Sequence, residues 1–240
     1  MPRARGAGGG GRYQKQCLPG CGPGGHRARA LGTGPRQASG HERPRDSVNG
    51  GSVRTTWISS RCTCPPSRAT LEENHTVETL QELRDEGKVR FIGMSGILPD
   101  LPDHLAMNVF DAFQIPYSAV QRDHENLIAE AAEAGAGTLI RGGAARGAAS
   151  EEKNWRTGPL TQEPGLGQRN WETSGIEDLL ADAGMSTMEF VLRFTLSHPG
   201  LSTTIVGTAN PAHLATNITT AEKGPLPADL YEEAKKRLPQ

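Results

Sequence analysis

The chain has 240 residues, rich in Gly (30) and Pro (17), and its formal net charge of −1 hides a split: residues 1–66 hold 11 basic residues against Glu42 and Asp46 alone, the rest 15 against 25 acids. No apolar run reaches the roughly 18 residues of a membrane span, and a complete eight-stranded α/β barrel of about 250 residues would barely fit. The basic N-terminus lacks the apolar stretch of an export signal, and all four cysteines precede residue 66, so a reducing cytoplasm is the expected compartment.

Residues 1–66 read as a disordered Gly/Arg-rich segment. Runs such as Gly8 to Gly11 alternate with Arg and Pro, and no apolar period of 2 or 3.6 recurs, so burial cannot offset the ordering entropy. Cys17, Cys21, Cys62 and Cys64 have spacings that fit no common zinc site. An RNA-binding tail would use this charge, although arginine–glycine repeats are absent and nucleic acid is not the expected partner. A third reading is that the segment is out of frame. Taken from the third base of each codon, the Trp57–Ile58 junction must give Asp, and its neighbours can complete Tyr-Leu-Asp-Leu-Leu-Gln-Val-His, a buried strand ending in a polar residue. Two Pro codons at Pro65–Pro66 supply a run of C in which one base could slip. The folded domain is accordingly expected over 67–240, and the DNA around codons 50–70 tests the frame.

Beyond that junction strands and helices alternate. Residues 76–88 predict a helix with Thr76 at its N-cap and Gly87 at its stop. A buried strand over 89–94, a short helix over 101–109, a strand over 112–117 and a helix over 125–134 follow. Residues 138–140 form the next strand and run into Arg141-Gly142-Gly143. Residues 148–184 are too long for a plain connection and are expected to be a lid or a mobile insertion. Ser186 and Glu189 make a capping box. A last strand spans 203–206, Asn210 caps a helix with Pro211 at its first position, and Leu230, Ala234 and Leu238 mark a closing helix. His75, His104, His124 and His198 have no metal spacing and are expected at the surface or in caps.

Four strands, each followed by a helix, imply parallel βαβ units: half of an eight-fold barrel, or a small doubly wound sheet. Either fold puts ligands at the carboxyl ends of the strands. Those ends, GKVRFIGMSG (87–96), FQIPYSAVQR (113–122), RGGAARG (141–147) and TTIVGTANPAHLATNI (203–218), resemble in order the aldo-keto reductases. The shifted phrase resembles that family's fourth strand, which ends in the active-site His. The resemblance implies a partial TIM-type (β/α)8 barrel, its last four βα units, in an oxidoreductase that reduces aldehydes or ketones with NADP, NAD being possible.

By the same resemblance Ser95 and Gln114 would hold the nicotinamide carboxamide, although Gly96 replaces the Asn that usually follows the Ser. Arg141 would stand where an aromatic ring usually stacks on the nicotinamide. Arg146 and Gly147 would form the phosphate loop. Gly207, Thr208, His213 and Asn217 would match the adenosine-phosphate site, with Gly207 in place of a Lys and His213 in place of an Arg. The family's Tyr, Lys, Asp and His belong to the first four strands, and Tyr13, Lys15 and Asp46 lie in no strand that could aim them, so no catalytic residue is assigned. The chain as written is expected to be inactive and to self-associate through open barrel edges. The rival reading is a non-enzymatic nucleotide-binding module with a basic RNA-binding tail.

Overall fold

The computed structural model describes residues 55–58 as backbone, and 65–150, 153–155 and 165–239 with their side chains. Five parallel strands form one sheet: β1 (Thr55–Ile58), β2 (Phe91–Ser95), β3 (Ala112–Pro116), β4 (Gly137–Arg141) and β5 (Thr203–Ile205). They lie in the order β1-β2-β3-β4-β5. A doubly wound sheet reverses its strand order at a switch point. This sheet advances one strand at a time, which is the progression of a barrel segment.

Helices α1 (Arg68–Glu73) and α2 (Thr76–Asp85) lead into β2, α3 (Leu101–Ala106) links β2 to β3, and α4 (Glu125–Glu133) links β3 to β4. Between β4 and β5 lie a one-turn helix over Ala145–Gly147, α5 (Leu166–Thr173), α6 (Ile176–Asp182) and α7 (Thr187–Leu196); α8 (Pro211–Glu222) and α9 (Ala228–Arg237) follow β5. Strand burial explains the continuous apolar runs. Ile92, Met94, Ile115 and Ile140 are wholly buried, with Ile128 of α4 and Phe190 and Phe194 of α7.

Several boundaries differ from the sequence expectation for identifiable reasons. Thr76 does not cap α2. His75 takes the N-cap position in a left-handed conformation, because α1 ends at Glu73 and leaves two residues for the turn. Gly87 does end the helix, at φ 72. The Ser186 side chain accepts from Glu189 N–H as a capping box requires. Glu189 does not reach back. Its carboxylate binds Arg193 at 3.0 Å and Lys223 at 2.6 Å, charge-assisted contacts stronger than one to a neutral amide.

β1 lies inside the segment expected to be unfolded. Thr55-Thr56-Trp57-Ile58 is a β-branched and aromatic run, suited to a pleated edge, and it pairs with β2 from Thr55 opposite Phe91 to Ile58 opposite Met94. The four cysteines, Tyr13, Lys15 and Asp46 lie outside the described residues.

Within 148–184, Trp155 and Trp171 meet with ring centroids 6.2 Å apart, and Trp171 packs edge-on to Phe190 at 5.9 Å. Trp171 is buried, as are Ile176 and Leu180. The described part of this stretch is therefore fastened to the core through an aromatic row.

Candidate functional site

Register places the expected residues at two levels along the sheet. Ser95 stands opposite Gln114, and one pleat further on Pro116 stands opposite Arg141, which in turn faces Ile205. At the first level the Ser95 hydroxyl donates to Gln114 Oε1 at 3.3 Å, so the two polar groups satisfy each other across adjacent strands. At the second level the buried Nε of Arg141 has no hydrogen-bond partner. Burial, then the nearby charge of Arg146, holds the Arg141 guanidinium below its usual pKa. A buried donor without an acceptor is costly, and here it lies at the carboxyl end of a strand.

Beyond the ends of β4 and β5 opens a cleft of about 570 Å³. Its wall brings together Arg146, Gly147, Gly207, Thr208, His213 and Asn217. Ser95, Gln114 and Arg141 do not line it, although Gly142, directly after Arg141, does.

The β4 side of the cleft is a tight turn. Ala145, Arg146 and Gly147 are all left-handed, with φ of 47, 53 and 71. The first two are non-glycine residues in a conformation that costs roughly 1–2 kcal/mol each, and strain of this kind gathers at ligand clamps. Two bonds hold the turn: Ser150 Oγ donates to Gly147 O at 2.8 Å, and Lys153 Nζ donates to Arg146 O at 2.6 Å. Gly143, at the base of the loop, fits closely against its neighbours. A Cβ there would lie 2.3 Å from Thr204 Oγ1.

Two helices begin at the opposite wall. Ser186, Thr187 and Met188, the start of α7, line the cleft, as do His213, Thr216 and Asn217 of α8. Asn210 caps α8 as expected, accepting from Ala212 N–H at 2.9 Å, and its own N–H donates to Thr208 Oγ1 at 3.1 Å. Helix N-termini carry positive partial charge and unpaired N–H groups. Among the described residues lining the cleft there is no Asp or Glu, whereas Arg146 and Lys153 both are there. The donor set fits a phosphate-bearing ligand.

Lys153 was not legible as a site residue in the sequence. The available signal was its isolation: no other lysine lies between Lys88 and Lys223, and it closely follows a Gly/Ala-rich loop. Of the four histidines expected at the surface or in caps, His75 and His124 take N-cap positions, while His104, His124 and His198 are buried, His104 and His198 among aromatic side chains. His104 Nε2 bonds Pro66 O at 2.7 Å and is the protonated nitrogen, because a carbonyl can only accept. His124 Nε2 accepts from Leu98 N–H at 3.0 Å, leaving its proton on the partnerless Nδ1. His198 Nδ1 accepts from Gly200 N–H, so its Nε2 donates to Glu125 O. Among the described residues no three His, Cys, Asp or Glu side chains cluster as metal ligands.

The Aldo/keto reductase family model matches residues 62–238, from just before α1 to just beyond α9. The chain belongs to that family. It is 24% identical over 160 residues to the uncharacterized oxidoreductase YqkF of Bacillus subtilis (strain 168), an alignment covering 63% of this chain and 52% of that protein. Its fold is similar to that of aldo-keto reductase AKR11C1 from Bacillus halodurans. The apo form gives a TM-score of 0.60 at 23% identity, over 72% of this chain and 59% of that one. The holo form gives 0.58 at 22%, over 72% and 58%. The chain thus spans about half the length of the curated relative it matches, and its strands and helices are those of the family barrel's C-terminal half.

Proposed function

We propose that this chain is the cofactor-holding half of an NAD(P)H-dependent aldo-keto reductase. The observation that carries this is the cleft beyond β4 and β5, whose described lining holds Arg146, Lys153, the start of α7 and the first two turns of α8 and no Asp or Glu. Its residues suit the adenosine and phosphate end of NADP, NAD being the alternative. Ser95 and Gln114 stand where the resemblance puts the nicotinamide carboxamide, and the bond between them would open for it. Such a cofactor supplies hydride for reducing an aldehyde or ketone.

The chain offers no assigned Tyr, Lys, Asp or His to polarise that carbonyl and protonate its oxygen. As written it is a nucleotide binder that does not turn over. Its setting is cytoplasmic. Titrating the full chain with NADPH while following tryptophan fluorescence tests the reading, since Trp155 and Trp171 lie beside the loop after β4. Saturable binding that Arg146→Ala weakens, without reduction of any aldehyde offered, is the expected result. Absence of binding at millimolar nucleotide would sink it. Binding of RNA that weakens with salt and vanishes on removing residues 1–66 would favour the nucleotide-module reading, which the charge split motivates.

A further inference from the structure

Three side-chain nitrogens among the described residues are buried without a hydrogen-bond partner: Arg141 Nε, His124 Nδ1 and His104 Nδ1. The His104 atom is the unprotonated one, since its Nε2 donates to Pro66 O. The other two are orphaned N–H donors, and the Arg141 charge reaches the His124 ring. Both belong to the carboxyl ends of the strands, because His124 precedes α4 on the loop after β3 and Arg141 ends β4. We infer that this place receives the carboxylate of a short oxo acid, with Arg141 as the residue that anchors it. That the acid is the carbonyl substrate rests on the reductase reading; the preference for a carboxylate rests on these residues alone.

An unmet donor is costly when buried, and more so on a cation. Among the described residues no acid offsets the Arg141 charge; the one charge that bears on it is that of Arg146, a second cation. Asp123 bears on His124 and not on Arg141. Within the guanidinium, burial without a partner is confined to Nε, and the side chain is only partly buried, which leaves the two Nη nitrogens to a ligand. No atom stands within 4 Å of the point where a Cβ on the next residue, Gly142, would lie. A guanidinium presents a planar fork of N–H groups that a carboxylate matches with both oxygens. His124 adds a donor and no charge, because burial keeps its ring neutral. Arg146 is exposed, so solvent weakens its pull. One negative charge therefore balances the place, as a carboxylate supplies and a phosphomonoester of about −1.5 to −2 exceeds. Gln114 and Pro116, the residue opposite Arg141, are two positions apart on β3, roughly 7 Å along the strand. A short oxo acid spans that distance from Arg141 towards the Ser95–Gln114 pair.

The test is an NMR titration of the full chain, free of nucleotide, that follows the arginine Nε–H signals, the Arg141 signal being the one lost in Arg141→Met. The probes are 2-oxobutyrate, its uncharged counterpart 1-hydroxybutan-2-one, and inorganic phosphate. In the wild type 2-oxobutyrate is expected to shift the Arg141 signal saturably and to bind at least about tenfold tighter than either of the others. Arg141→Met loses that preference, and Arg141→Lys, which keeps the charge but not the fork, retains it at lower affinity. Arg141→Met should also melt at least as high as the wild type, since it removes an unmet charge; a guanidinium with a purely structural role predicts a lower melt. Equal affinity for 2-oxobutyrate and the uncharged probe, tighter binding of phosphate, or a lower melt in Arg141→Met with the preference intact each overturn the inference. A chain that binds NADPH and leaves 2-oxobutyrate unbound overturns this inference alone. One that binds 2-oxobutyrate at Arg141 but no NADPH keeps the carboxylate site and removes the reductase reading.

Discussion

Arg122 shows how one residue can join distant parts of this chain. It lies between β3 and α4, almost fully buried, and its Nε donates to Glu125 Oε2 at 2.6 Å. Its Nη1 donates to the carbonyls of Lys235 and Leu238, and Lys235 Nζ closes the group on Glu125 Oε1 at 3.0 Å. The end of α9 is thereby tied to the start of α4. Burial works against the Glu125 carboxylate, but the bonds from Arg122 and Lys235 outweigh it and hold its pKa below the usual range. Removing one partner from a buried pair typically costs about 3–5 kcal/mol. Arg122→Met is therefore expected to lose roughly 3 kcal/mol in urea unfolding, and an unchanged midpoint would refute the tie. The buried histidines make a second residue-scale prediction. Burial lowers the pKa of His104, His124 and His198. Above about pH 6.5 both folded and unfolded chains keep them neutral. Below it the unfolded chain takes up protons that the folded one refuses, so stability falls with acidity, by up to about 1.4 kcal/mol per pH unit for each histidine. The urea midpoint should drop between pH 7 and pH 5, and a flat profile would show that the rings titrate freely.

Among the described helices, α8 has the smallest buried share. Only Thr220 is buried along its length, so its N-cap matters more to it than a cap does to a well-packed helix. Asn210→Ala removes the acceptor for Ala212 N–H, a change worth about 1 kcal/mol. Amide exchange in α8 should quicken by roughly the fivefold that this implies, with the global melt nearly unchanged. Equal destabilisation everywhere would mean that α8 belongs to the main cooperative unit. α7 presents the opposite case. Phe190, Val191 and Phe194 are buried, and Thr195 Oγ1 donates to Gly143 O at 2.8 Å, so α7 holds the base of the β4 loop in place. The stretch before α7 was expected to be a lid or a mobile insertion because it is too long for a plain connection. The order of its described part comes from Trp171, which packs on Phe190 of α7, a residue outside the stretch.

For the whole molecule, the sheet leaves β1 and β5 at its two ends. Ile205 on β5 and Leu214 and Ile218 on α8 are each about half exposed, at 49%, 49% and 51%. Apolar exposure beside an unpaired edge invites pairing with another chain. Self-association in the micromolar range is the expected behaviour in sedimentation velocity, and Ile205→Lys should shift the population towards monomer. A wild-type monomer at high concentration would refute it. No helix among the described residues is long and apolar enough to cross a membrane.

The sequence alone carried most local decisions, the cap of α2 and the strand at Thr55–Ile58 excepted. The strands from residue 89 onward, the Gly87 stop and the Asn210-Pro211 start follow from neighbours a few positions apart. The ordered series of strand ends was enough to suggest the family and six of the residues that line the cleft, Arg146, Gly147, Gly207, Thr208, His213 and Asn217. Tertiary structure decided what depends on meetings between remote segments. It buried His104, His124 and His198, ordered part of 148–184 through Trp171, and brought Lys153 to the cleft wall. It also turned Glu189 away from its helix cap towards Arg193 and Lys223. The physical reason is the same in each case. Burial and charge pairing depend on what the folded chain places within a few ångströms, and a linear pattern records only what is adjacent along the backbone.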